Sequence, residues 1–263
     1  MSKVLEKYCG IELISFHIFT RLQRSETMQN PLYNLLWKYA NTYHTVVPFD
    51  KAKDKLLAMN FTAENESLTD EILANTAMFS EYINDELKKA KATYGVGGYD
   101  EHRTVYSRSK VFDTKDEPRR LHLGIDVWGP AGTPVFAPFG GVVHSVGFNN
   151  NFGDYGATII LQHQVDGTSF NTLYGHLSKR DIAGLQEGNY INRGTPFAHF
   201  GEPAENGFWP PHLHFQIVEN MFEWLGDYPG VCKFSEREKY LANSPDPDVI
   251  LQMMQYAKVS QDV

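Results

Sequence analysis

From about residue 104 to residue 222 the chain is a succession of short β-branched and aromatic runs cut by glycine and proline. "TPVFAP", "GGVVHSVGF", "GATIILQH", "FNTLYGHL" and "TPFAHFG" follow one another with no helical pattern between them. Short strands at that spacing predict an antiparallel sheet or a barrel-like sandwich. The flanks read differently. In "NPLYNLLWKYANTYH", Asn30 suits an N-cap and Pro31 the first helical position, where a missing N–H costs nothing. In "SLTDEILANTAMFSEYINDELKKAKATYG", Leu68, Ile72, Phe79, Ile83 and Leu87 form one helical stripe, interrupted by Thr76 and stopped at Gly95. Beyond the β-rich stretch, Ser235 and Glu238 have capping-box spacing, and "PDPDVILQMMQYA" resumes a helix after a proline. The expected fold class is α+β: an N-terminal helical region (1–103), a β-rich domain (104–234) and short C-terminal helices (235–263). Gly95, Gly97 and Gly98 in "YGVGGYDEH" offer a bend between the first two parts, which makes the helical region a candidate lid or partner-binding segment.

Charge narrows the function classes. A net charge of −8 supplies no basic face for nucleic acid or an anionic membrane, although a cationic substrate stays open. No run approaches the ~20 apolar residues of a membrane span. The N-terminus lacks an apolar core and a small-residue cleavage site, so the expected compartment is the cytoplasm. Cys9 and Cys232, far apart and outside any CxxC, are expected to be free thiols. Oligomeric state is not legible.

The chemistry lies in the histidines. His17, His44, His102, His144, His163 and His199 stand alone and carry no spacing information, so each is expected to be a surface or satisfied core residue. The others keep company. In "PPHLHF", His212 and His214 are two apart, so on a strand both face one way. In "HLGIDV", His122 and Asp126 share strand parity, but four residues of extended chain span roughly 13 Å. Binding one ion therefore requires a bend, and Gly124 is the hinge. His176 follows a turn glycine in "LYGHLS". Two imidazoles and a carboxylate suit Zn2+ and leave a fourth position for water. Five candidates are present and three suffice; the surplus histidines are available to move protons.

These motifs carry a resemblance. "HLGIDVWGPAGTPVFAPFGGVV", "TLYGHLS", "LQEGNYINRGTPFAHFG" and "PPHLHFQI" resemble the LytM/lysostaphin-like zinc metallopeptidases in order, spacing and turn glycines, over roughly residues 118–222. The resemblance implies a barrel-sandwich-hybrid-like domain. It also implies zinc on His122, Asp126 and His214, with His176 and His212 flanking the water. A zinc endopeptidase cutting peptide or peptidoglycan-derived crosslinks follows as its implied function. The tyrosine that several family members carry shortly before HxxxD is absent from "DTKDEPRRL", leaving Tyr99 or Tyr106 to approach the cleft. Two rivals remain: a zinc-bound, non-hydrolytic regulator, and a biotinyl, lipoyl or phosphocarrier module. The carriers lack support, since there is no "MKM"-like turn and a phosphocarrier has no use for the HxxxD carboxylate.

Overall fold

The structure, a computed structural model, describes residues 30–259; Cys9 and His17 lie outside the described residues. In chain order its strands begin with β1 (Leu56–Met59), β2 (Tyr94–Gly97), β3 (Leu121–His122), β4 (Ile125–Trp128), β5 (Pro134–Phe136) and β6 (Gly141–Asn149). They continue with β7 (Gly156–Val165), β8 (Thr168–Leu177), β9 (Tyr190–Ile191), β10 (Pro196–His199), β11 (His212–Val218), β12 (Val231–Cys232) and β13 (Ala257–Lys258). Nine of them form one sheet in the order β13-β1-β2-β4-β11-β8-β7-β6-β9, and β10–β5 and β12–β3 are separate pairs.

The antiparallel expectation holds from β2 through β9, where each neighbouring pair is antiparallel. It fails at the other edge: β1 runs parallel to both β2 and β13. The sheet is therefore mixed, and its order is open-ended, not a closed barrel. β4 and β11 are buried along their whole length, which only strands covered on both faces tolerate. Sheet continuity also crosses the expected boundaries, since β1 and β2 precede residue 103 and β13 follows residue 235.

Two helical readings change in detail. The long stripe is two helices, α2 (Asp70–Ala74) and α3 (Thr76–Ala90), which follow α1 (Pro31–Lys38). Asn75 breaks the run. Its backbone is extended and its side chain accepts hydrogen bonds from the Ala77 and Met78 amides, so it ends one helix and caps the next. α3 then buries Phe79, Ile83 and Leu87 in a cluster that includes Phe61, Trp128 and Trp209. At the C-terminus, Ser235 sits in a 3-10 turn instead of capping, and helix Arg237–Asn243 starts without a side-chain cap. The final helix is a single turn, Asp248–Leu251. No described helix is long and apolar enough to cross a membrane.

"YGVGG" is not a hinge. Tyr94 to Gly97 form the buried strand β2, and a Cβ on Gly95 would lie 2.7 Å from Met59 Cγ. These glycines admit neighbouring side chains to the backbone; they do not loosen it.

Candidate active site

The bend required of HxxxD is present. β3 ends at His122 and pairs with β12, while β4 begins at Ile125 and joins the large sheet. A Cβ on Gly124 would lie 2.6 Å from His214 Cε1 and 2.8 Å from the Phe215 carbonyl oxygen. The chain turns there because only a residue without a side chain lets it pass the His214 ring. Strand register does the rest, placing His214 opposite Asp126 on one side and Gly175 on the other.

Three atoms that could hold a metal ion result, from buried residues: His122 Nε2, Asp126 Oδ1 and His214 Nδ1. Their separations are 3.0 Å between the nitrogens, and 3.3 Å and 3.1 Å from the carboxylate oxygen to His122 and His214. A tetrahedral zinc with bonds of ~2.1 Å has ligand–ligand edges of ~3.4 Å, so the triangle is close to the required size. Tautomers fit as well. His122 Nδ1 lies 2.8 Å from the Gly98 carbonyl, which can only accept, so the proton is on Nδ1 and Nε2 carries a lone pair. Gln216 donates its amide N–H to the Pro229 carbonyl and Ser244, which turns its Oε1 towards His214 Nε2 at 3.0 Å. His214 thereby keeps its lone pair on Nδ1. Two imidazole lone pairs and a carboxylate oxygen converging at about 3 Å repel one another unless a cation lies among them.

Electrostatics agree. Burial and the neighbouring Arg103 charge lower the His122 pKa to about 4, so the ring is neutral. Burial opposes ionisation of Asp126, but the Arg103 guanidinium beside it overcomes that and holds the carboxyl well below its usual range.

His176 and His212 sit beside the triad. Strand alternation would send His176 to the face opposite Gly175. A bulge in β8, where the register against β7 slips between Ala157 and Ile159, adds one residue and re-aims it. His176 has φ 62°, a conformation costing a side-chain-bearing residue on the order of 1 kcal/mol. Its Nδ1 donates to the Asn206 carbonyl at 2.8 Å, and His212 Nδ1 donates to the Pro210 carbonyl at 2.7 Å. Each ring therefore offers Nε2 as its free acceptor. The rings are 4.1 Å apart, and His212 stacks on Trp128 at 3.8 Å. Burial lowers both pKa values, to about 4 for His212 and in the same direction for His176. All five expected site residues are thus brought together, except that His122 is not among the residues lining the cleft.

The cleft is open to solvent and is lined also by Tyr106, Tyr155 and Trp209. Of the two tyrosines considered, Tyr106 reaches it, whereas Tyr99 donates to the Ser244 carbonyl. Sequence reasoning missed Tyr155, whose hydroxyl is 3.4 Å from His214 Nε2, and Arg103, bonded to Asp126 Oδ2. It also missed Trp128 and Gln216, which strand parity from Asp126 and His214 makes visible. The lone His163 and His199 are satisfied elsewhere, by Gly140 and Thr172 and by Asp181.

Comparison with known proteins gives a consistent result. The family model described as "Peptidase family M23" matches residues 120–223. The DD-carboxypeptidase/endopeptidase Mpg of Neisseria meningitidis serogroup B is 34% identical over 129 residues, covering 47% of this chain and 27% of the relative. The peptidoglycan DD-endopeptidase ShyC of Vibrio cholerae serotype O1 is 29% identical over 112 residues, 39% of this chain and 23% of the relative. The chain thus spans only about a quarter of the length of the curated relatives it matches. The solved catalytic domain of lysostaphin from Staphylococcus simulans is 24% identical with a TM-score of 0.39, over 66% of this chain and 97% of that one. The motif order and the family match agree on one segment: residues 120–223 of this chain match the model of peptidase family M23, in keeping with the resemblance to the LytM/lysostaphin-like metallopeptidases.

Proposed function

We propose that the protein is a zinc-dependent endopeptidase acting on peptidoglycan-derived or glycine-containing peptides. The observation that carries this reading is the ligand triangle with both tautomers fixed from behind. His122, Asp126 and His214 would hold the zinc; His176 and His212 would serve the proton transfers. Bound zinc supplies positive charge that polarises a scissile carbonyl and makes water more acidic. The chain supplies the remainder. His212, held flat against Trp128, presents an unprotonated Nε2 at neutral pH and accepts a proton from the attacking water. As the C–O bond forms and the C–N bond breaks, that proton passes to the leaving nitrogen. His176 offers a lone pair in its resting tautomer, so it stabilises a developing oxyanion only after gaining a proton at Nε2. The substrate class draws on the names of the relatives, two of which are endopeptidases acting on peptidoglycan by description.

The test pairs metal analysis with product analysis. Purified protein should contain one zinc per chain and release new amino termini from muropeptides or glycine-rich peptides. Zinc-loaded protein that cleaves neither would refute the hydrolytic reading; full zinc occupancy in His214→Ala would refute the ligand set.

A further inference from the structure

Arg103 lies outside the segment that matches the family model, yet it is the most deeply engaged charged residue near the triad. It is 1% exposed. Its Nη1 donates to Asp126 Oδ2, the carboxylate oxygen that is not part of the ligand triangle. Its Nε donates to Glu101 Oε2 at 2.6 Å. Its Nη2 reaches the Gly98 carbonyl at 3.3 Å, and this same carbonyl accepts the His122 Nδ1–H. One guanidinium therefore touches the second oxygen of one ligand and the carbonyl that orients another. The ring faces of Phe61 and Tyr106, 5.2 Å and 6.0 Å from its carbon, prevent it from swinging away.

We infer that Arg103 is a positioning residue for the metal centre: by clamping Asp126 Oδ2 and the Gly98 carbonyl, it makes Asp126 a one-oxygen ligand and locks the His122 ring. The inference rests on the ligand set proposed above. A free carboxylate can turn to offer a cation both oxygens, and a guanidinium N–H on one of them, with the rest of the fork held by Gly98 and Glu101, removes that option. Charge alone does not explain the arrangement. Glu101, paired with Arg103, offsets the repulsion the guanidinium would exert on a cation. What remains is geometry. The segment 98–103 is thus a part of the metal site that the HxxxD and HxH motifs do not contain.

The charge-balanced double variant Glu101→Gln/Arg103→Met separates geometry from charge, and Arg103→Lys keeps the charge but loses the fork. Zinc affinity is measured by competition with a chromophoric chelator, and site geometry by the visible absorption of the cobalt-substituted protein. Four-coordinate cobalt absorbs strongly; higher-coordinate cobalt absorbs weakly. We expect roughly 10–100-fold weaker zinc binding in the double variant, the usual effect of losing an outer hydrogen-bond partner. We also expect a weaker cobalt band in both variants, with circular dichroism unchanged. If the double variant folds poorly, Arg103→Lys with its cobalt spectrum still decides the matter. Wild-type affinity and spectrum in folded variants would overturn the inference and leave the ligand set standing. Failure of the wild-type protein to bind zinc or cobalt would overturn both.

Discussion

Substituting Gly124 by alanine tests whether the turn between β3 and β4 assembles the site. The added Cβ would lie 2.8 Å from the Phe215 carbonyl oxygen and 2.6 Å from His214 Cε1. Ordinary contact begins at 3.4 Å, so backbone must separate by about 0.6 Å, and the His214 ring by about 0.8 Å. The ring cannot simply rotate, because Gln216 holds its Nε2 and Tyr155 packs beside it at 5.1 Å. Overpacking of this kind costs about 1–3 kcal/mol. At roughly 2–4 °C per kcal/mol for a chain of this size, the metal-free protein should melt several degrees lower. Moving the His214 ring disturbs the triangle it forms with His122 and Asp126, so zinc affinity should fall together with stability. Displacements approaching 1 Å at a reacting centre can cost on the order of 100-fold in rate. Thermal melts with and without zinc, chelator competition and peptide turnover measure the three effects. Unchanged melting and wild-type zinc affinity in Gly124→Ala would refute the close-approach argument, whatever the turnover.

Other consequences follow from the same geometry. His176→Ala and His212→Ala should retain zinc while turnover drops about 10²–10⁴-fold, as for lost acid–base groups; elemental analysis and single-turnover assays separate the two. A chain beginning at residue 104 lacks β1, β2, the Gly98 carbonyl and Arg103, so it should bind zinc more weakly and unfold more easily. Faster turnover by that chain would instead support a lid. His163, far from the ligands in sequence and 2% exposed, has its pKa lowered to about 4 by burial. Its neutral form is favoured in the fold, so its contribution is complete above ~6.5 and is lost as pH falls from there towards 4. Between pH 7 and pH 5 that amounts to about 2 kcal/mol. In urea titrations His163→Gln should therefore lose less stability than the wild type across that interval, and parallel losses would contradict it.

The sequence by itself pointed to the five candidate residues and to metal chemistry. Period-2 parity put His212 and His214 on one face, and the distance across HxxxD demanded a bend at Gly124; both follow from fixed strand geometry, which local residues reveal. The stripe Phe79, Ile83, Leu87 likewise announced a buried helical face. What local pattern could not disclose depends on partners far along the chain. "YGVG" reads as a flexible joint because glycine permits bending, but β1 and β4 on either side turn it into a packed strand. The inward turn of His176 comes from one extra residue in the pairing of β8 with β7, and register exists only between strands. Arg103 carries no motif at all. It becomes part of the site because β2 lies beside β4, which brings residues 98–103 against Asp126 from 23 positions away. Tertiary structure decided these features because a hydrogen bond to a ligand's far side needs proximity in space, which a sequence spacing of that length does not specify.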